Sequence, residues 1–171
     1  MKQGESFEQY VLNLCHADGF TLMRKTDPAV RIIQWYGNNQ FKGCFLEEGM
    51  LDLTGPMHGF HAEIEVKDCK GMRFPLSKLR PHQYRRIEDL YDDISLAGLV
   101  LRLRGATAND DHILLFPARE VIKLKADGKK SIMWKEAKPL VDEGLVLEHT
   151  YRSKGDIRKF MKMMVDTTPE R

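Results

Sequence analysis

Cysteine is scarce in this chain of 171 residues, which carries only Cys15, Cys44 and Cys69, an odd and widely spaced set without a C-x-x-C pair. That scarcity excludes a disulfide framework and a cysteine-based zinc site. Long apolar runs are missing too. The longest, such as Ala97-Gly98-Leu99-Val100-Leu101, fall far short of a bilayer's thickness. An N-terminal leader is not indicated, because Glu5 and Glu8 sit where its apolar core belongs. The expected compartment is the cytoplasm. Internal repeats and Gly/Ser or Pro linkers are absent, so one compact domain is expected. Nor does charge of one sign dominate: 27 Lys and Arg oppose 25 Asp and Glu, a net +2.

What is present is an ordinary globular composition, 42% hydrophobic and 30% charged, which excludes disordered and collagen-like classes. The charge is segregated. Lys67, Lys70, Arg73, Lys78, Arg80, Arg85 and Arg86 fall between residues 67 and 86 against a single acid, Asp68. A second basic stretch runs from Lys123 to Lys138, interrupted by Asp127 and Glu136. Acids gather instead at Glu47-Glu48 and from Glu88 to Asp93. Such separation suits a polyanion-binding face, although on charge alone a solvated surface is the better explanation.

Ser6-Phe7-Glu8-Gln9 reads as a capping box opening a first helix, with Phe7, Val11, Leu14 and Cys15 as its apolar stripe up to about His16. Strands are expected at Phe20–Met23, Val30–Trp35 and Cys44–Leu53, with Gly37-Asn38-Asn39 as a turn. Residues Phe60–Lys67 alternate, placing Ile64 and Val66 on one face and Glu63, Glu65 and Lys67 on the other. Pro81 opens the main amphipathic helix, with Ile87, Leu90, Tyr91 and Ile94 on its apolar side. Strands at Gly98–Leu103 and His112–Phe116 follow. Helices are expected at Pro117–Leu124 and Met133–Glu143, a strand at Leu145–His149, and a last helix near Ser153. The expected fold class is α/β, a mixed central sheet flanked by helices.

One constellation carries chemistry. Asp52 lies just before Thr54-Gly55-Pro56, read as a turn, and Glu65-Val66-Lys67 follows on the next strand. Residues i and i+2 of a strand share a face, so the Glu65 carboxylate and Lys67 ammonium point together. Hairpin pairing would bring Asp52 to that face. Two hard carboxylates with room for water suit Mg²⁺, and a neighbouring lysine suits phosphodiester hydrolysis. An E-x-K sequence is also a plain same-face ion pair on many strands. Gln83 falls on the face of Ile87 and Leu90, where its amide can reach a water, a phosphate oxygen or a strand edge. Glu8 suits either a dipole partner in the first turn of its helix or a further acidic site residue. His58 and His61 with Cys69 could share a metal; the competing reading makes them turn and strand-edge polar residues.

In chain order these residues resemble the RecU-type Holliday junction resolvases, members of the PD-(D/E)xK nuclease superfamily. Gly4-Glu5-Ser6-Phe7-Glu8 resembles the family's N-terminal helix start, and Lys25-Thr26-Asp27-Pro28 its K-P-T-P loop. Asp52-Leu53-Thr54-Gly55 resembles D-Y-x-G, and Glu65-Val66-Lys67-Asp68-Cys69 resembles E-A-K-E-T. Phe74-Pro75-Leu76 matches F-P-L, followed at the family spacing by His82-Gln83. Gly128-Lys129-Lys130-Ser131-Ile132 resembles G-R-K-S-I. The likeness runs from Gly4 to about Ile132. Departures are Leu53 for the family's aromatic, Thr26 for the first proline of the loop, and a shorter, less basic stalk between Arg31 and Met50. Compactness suits a phage-encoded version.

The resemblance implies a restriction-endonuclease-like core and a homodimeric, Mg²⁺-dependent endonuclease, with Mn²⁺ able to substitute, that makes paired nicks in four-way DNA junctions. It places the metal on Asp52, Glu65 and the Val66 main-chain carbonyl, catalysis on these carboxylates with Lys67, Gln83 and Glu8, and no membrane or nucleotide cofactor. DNA contacts are expected from Arg24, Lys25, Lys70, Arg73, Lys78, Arg80, Arg85, Lys129 and Lys130. The nuclease domain is expected over residues 1–147, with a stalk-like excursion near 31–50, and residues 148–171 as a C-terminal helix or tail. The cytoplasm in question would be that of a bacterial cell or a phage-infected host. Two competing classes are a related nuclease acting on other branched or linear DNA, and a non-catalytic DNA-binding recombination accessory protein.

Overall fold

The computed structural model describes residues 6–26, 30–37, 40–45, 49–93, 95–150 and 155–167; in the second and third of these ranges side chains are described only at Gln34 and Tyr36. The elements are α1 (Phe7–Ala17), β1 (Arg24–Lys25), β2 (Val30–Gly37), β3 (Gln40–Phe45), β4 (Leu53–Met57), β5 (Phe60–Lys70), β6 (Arg73–Pro75), α2 (Pro81–Asp92), β7 (Leu96–Arg104), β8 (His112–Pro117), α3 (Ala118–Ala126), β9 (Ser131–Met133), α4 (Trp134–Asp142), β10 (Leu147–His149) and α5 (Asp156–Thr167). Six strands form the central sheet in the order β1-β4-β5-β7-β8-β10. β5 and β7 are parallel, joined by α2 as crossover, and every other pairing is antiparallel. The sheet is therefore mixed, as expected.

Apolar layers cover both faces of this sheet. On one, Phe7, Val11 and Cys15 of α1 and Ile157, Phe160 and Met164 of α5 pack against Leu53, Ile64 and Val100. On the other, Tyr84, Ile87 and Leu90 of α2 and Val121 of α3 pack on Leu99, Leu101 and Phe116. Burial on both sides gives β7 its unbroken apolar run. Gly98 admits α5, since a Cβ there would stand 2.4 Å from Phe160 Cζ. β10 closes one edge and α5 covers one face, so both Glu148–His149 and Asp156–Thr167 contribute to the sheet and its cover.

Several expected elements change. Phe20–Met23 is turn, not strand: Phe20 N–H donates to Cys15 O and Met23 N–H to Phe20 O, and i, i+3 spacing buries Phe20 and Met23 without alternation. Cys44–Leu53 is not one strand either. β3 ends at Phe45 in a separate two-stranded sheet with β2, while β4 begins at Leu53 in the central sheet. Thr54-Gly55-Pro56 lies inside β4 rather than turning the chain. Gly55 serves close approach, because a Cβ would stand 2.7 Å from Leu22 O. The turn is His58-Gly59, a two-residue hairpin loop with φ of 47° and 88°. Asn38, Asn39, Glu47, Glu48, Asp27, Pro28, Gly4, Glu5, Ile94 and Ser153 lie outside the described residues.

The expected helices shift by a residue or two. Ser6 does cap α1, its Oγ accepting from Gln9 N–H at 3.2 Å, but the Gln9 side chain donates to Asn13 instead of closing the box. The small sheet of β6 and β9 went unforeseen. It pairs Phe74 with Ile132 and Pro75 with Ser131, so the F-P-L stretch and the Gly128–Ile132 stretch lie side by side.

Candidate active site

The middle of β5 is sealed on both faces, which the expected alternation did not anticipate. Glu63 and Glu65 are each 0% exposed. A buried carboxylate is costly unless paired, and the two are satisfied very differently. Glu63 takes Arg86 of α2 in a fork, His61 Nε2 at 2.9 Å and the Leu51 N–H at 3.0 Å. Burial alone would lift its pKa; Arg86, His61 and the Leu51 N–H outweigh that and hold it below the ordinary carboxylate range.

Glu65 is under-served. Its Oε1 accepts from Lys67 Nζ and, at 2.6 Å, from Gln83 Nε2. Its Oε2 is buried with no hydrogen-bond partner. Burial first, then the neighbouring Asp52 charge, push its pKa to about 8 despite the opposing pull of Lys67. Asp52 pairs in line with Glu65 because β4 and β5 run antiparallel from Leu53↔Ile64. Its Oδ2 accepts from Val66 N–H at 2.8 Å, just ahead of the first paired residue of β4. The N–H and C=O of a strand residue leave on the same edge, so the Val66 carbonyl faces the Asp52 side too.

Gln83 sits in the first turn of α2, as its spacing suggested. Its Oε1 accepts from Arg80 N–H at 3.0 Å, which fixes the amide so that its NH₂ meets Glu65. The partner it meets is the Glu65 carboxylate. Glu8, on the exposed start of α1, engages Lys25 Nζ at 3.4 Å.

The donor set fits a hard divalent cation. Two adjoining carboxylates, an orphaned buried oxygen and a raised pKa all describe a site short of positive charge, and Mg²⁺ takes few protein ligands. Among the described residues no group of three or more His, Cys, Asp and Glu is placed to hold a metal. His58, His61 and Cys69 therefore do not converge: His58 turns the hairpin against the Phe20 ring, His61 serves Glu63, and Cys69 Sγ donates to Arg73 O.

Most of the basic residues are exposed. Arg73, Lys78, Arg80, Arg85, Lys129 and Lys130 are exposed. The β6–β9 pairing, extended by Leu76 N–H to Lys130 O at 2.9 Å, zips the two basic stretches of the sequence into one patch. Arg73 Nε also donates to Ser131 Oγ at 3.1 Å. Lys70 and Arg24 are exposed, and Lys25 is tied to Glu8 and Ser6. Arg86, counted among the basic run, is turned inward to Glu63. Sequence reasoning missed that pair; its signal was Glu63 on the Glu65 face, opposite Arg86 one turn from Gln83.

A search among curated proteins found no match. A family model, described as RecU: Recombination protein U, matches residues 2–156 and so spans the central sheet and every residue of the cluster. The chain belongs to the RecU family.

Proposed function

We propose that this protein is a Holliday junction resolvase, an endonuclease that makes paired symmetric nicks in four-way DNA junctions with Mg²⁺ at Asp52, Glu65 and the Val66 carbonyl. The observation that carries this reading is the orphaned Glu65 Oε2 within a cluster of Asp52, Lys67 and Gln83. Mg²⁺, or Mn²⁺ in its stead, would supply Lewis-acid polarisation of the phosphate and a more acidic water.

The chain's own residues do the rest. Lys67, half-buried beside Glu65, offers positive charge where a phosphate gains negative charge. Gln83, held by Arg80 N–H, keeps the Glu65 carboxylate in one orientation. In the hydrolysis a water oxygen bonds to phosphorus, one P–O ester bond breaks, and the leaving oxygen takes a proton. The patch from Arg73 to Lys130 grips phosphates without reading bases. Two opposed nicks need two sites, which a two-fold symmetric dimer supplies.

The test is Mg²⁺-dependent digestion of a synthetic four-way junction beside linear duplex and flap controls, with light scattering on the same sample. Paired nicks in the junction by a species near twice 19.8 kDa support the reading. Preferential cutting of flaps or linear DNA by a monomer assigns the cluster to another nuclease activity, and binding without cutting assigns an accessory role.

A further inference from the structure

Two buried side-chain oxygens among the described residues lack any hydrogen-bond partner, Glu65 Oε2 and Thr26 Oγ1. They are not scattered. Thr26 follows β1 and continues its register, with Thr26 N–H donating to Asp52 O at 2.9 Å. Residues directly opposite each other in antiparallel strands share a face. Thr26, Asp52 and Glu65 thus form one row across β1, β4 and β5, with an unsatisfied oxygen at each end.

A hydroxyl left unpaired in the interior is a net cost, so native proteins seldom keep one without use. Both oxygens are closed to bulk solvent, and a divalent ion between Asp52 and Glu65 would bring its own water into the row that Thr26 shares with them. We propose that Thr26 is a positioning residue of the cation site, its hydroxyl hydrogen-bonding to the hydration shell of a divalent ion held between Asp52 and Glu65. This rests on the metal-dependent reading above. It is particular to this chain, since Thr26 stands where the resemblance expects proline.

Thr26→Val removes the hydroxyl at constant shape, and Thr26→Ser keeps it. Mg²⁺ affinity is measured by calorimetry without DNA, alongside thermal unfolding in chelator. Outer-shell partners are worth about 10-fold or more in metal affinity, so Thr26→Val should weaken Mg²⁺ binding by about 10-fold while Thr26→Ser stays near wild type. In chelator the valine variant should unfold at the same temperature or higher, because an unpaired buried hydroxyl has been replaced by a methyl. Wild-type Mg²⁺ affinity in Thr26→Val overturns the proposal, as does a loss of metal-free stability, which would reveal a structural partner. If the wild-type protein itself binds no Mg²⁺, the metal-dependent reading fails and this inference with it.

Discussion

Gln83 meets Glu65 at 2.6 Å across the gap between α2 and the middle of β5, and its other end is pinned by the Arg80 N–H at 3.0 Å. The amide thereby ties the helix start to a carboxylate that has few other partners. Gln83→Ala should leave the fold intact and slow single-turnover cleavage by about 10-fold, because the carboxylate loses orientation rather than identity. Lys67→Ala removes charge at the reacting phosphate and should cost about 100- to 1,000-fold. Single-turnover rates at saturating DNA compare the two. A Gln83 variant slower than the Lys67 variant would reverse these roles.

Glu65 gives stability a pH dependence of definite sign. Its folded pKa, about 8, is raised above the 4.5 of an ordinary carboxyl. Below about 4.5 it is protonated in both states and imposes no penalty. As pH rises toward 8 the unfolded chain sheds the proton and the folded one keeps it, so stability falls. In chelator, the unfolding temperature should therefore decline from pH 5 to 8, and Glu65→Gln should flatten that decline. Calorimetric scans across this range check it; parallel slopes for the two proteins would contradict it.

Glu63 behaves oppositely, because Arg86, His61 and Leu51 N–H favour its charge. Removing Arg86 would leave that buried charge with only His61 and the Leu51 N–H. Arg86→Ala should destabilise by about 3 kcal/mol, read by urea unfolding with an unchanged slope. Junction affinity of the folded fraction should hardly move, which separates Arg86 from its exposed basic neighbours.

Arg73, Lys78, Arg80 and Arg85 are exposed, on β6, in the segment leading to α2 and in α2 itself. Alanine at Arg73, Lys78 and Arg85 together should weaken binding to every DNA and flatten the plot of log affinity against log salt by about one phosphate per effective cation. An unchanged slope would remove this patch from the DNA face.

Much of this was legible in the sequence, for local reasons. Ser6 and Pro81 mark helix starts that depend on neighbours a few residues away, and Gln83's heptad-like spacing from Leu90 aimed it at the sheet. The i, i+2 rule put Glu65 with Lys67. What failed depended on distant chain. Whether Thr54-Gly55-Pro56 turns or runs straight depends on Leu22 and Met23 packing against Gly55. The fate of Arg86 depended on an unpaired charge at Glu63, and the joining of Arg73 to Ser131 on a strand pair of three residues each. Composition cannot reveal such pairings; only the assembled sheet does.

On the proposed reading, Asp52 and Glu65 would hold the divalent ion that cleavage of junction DNA requires. Single-turnover cleavage of a labelled four-way junction in Mg²⁺ by Asp52→Asn and Glu65→Gln, with binding measured in the same samples, tests it most directly. Both variants should lose cleavage while binding the junction about as tightly as wild type, since each loses a ligand for the ion and neither touches the exposed basic residues. Cleavage at the wild-type rate by either variant would contradict the account.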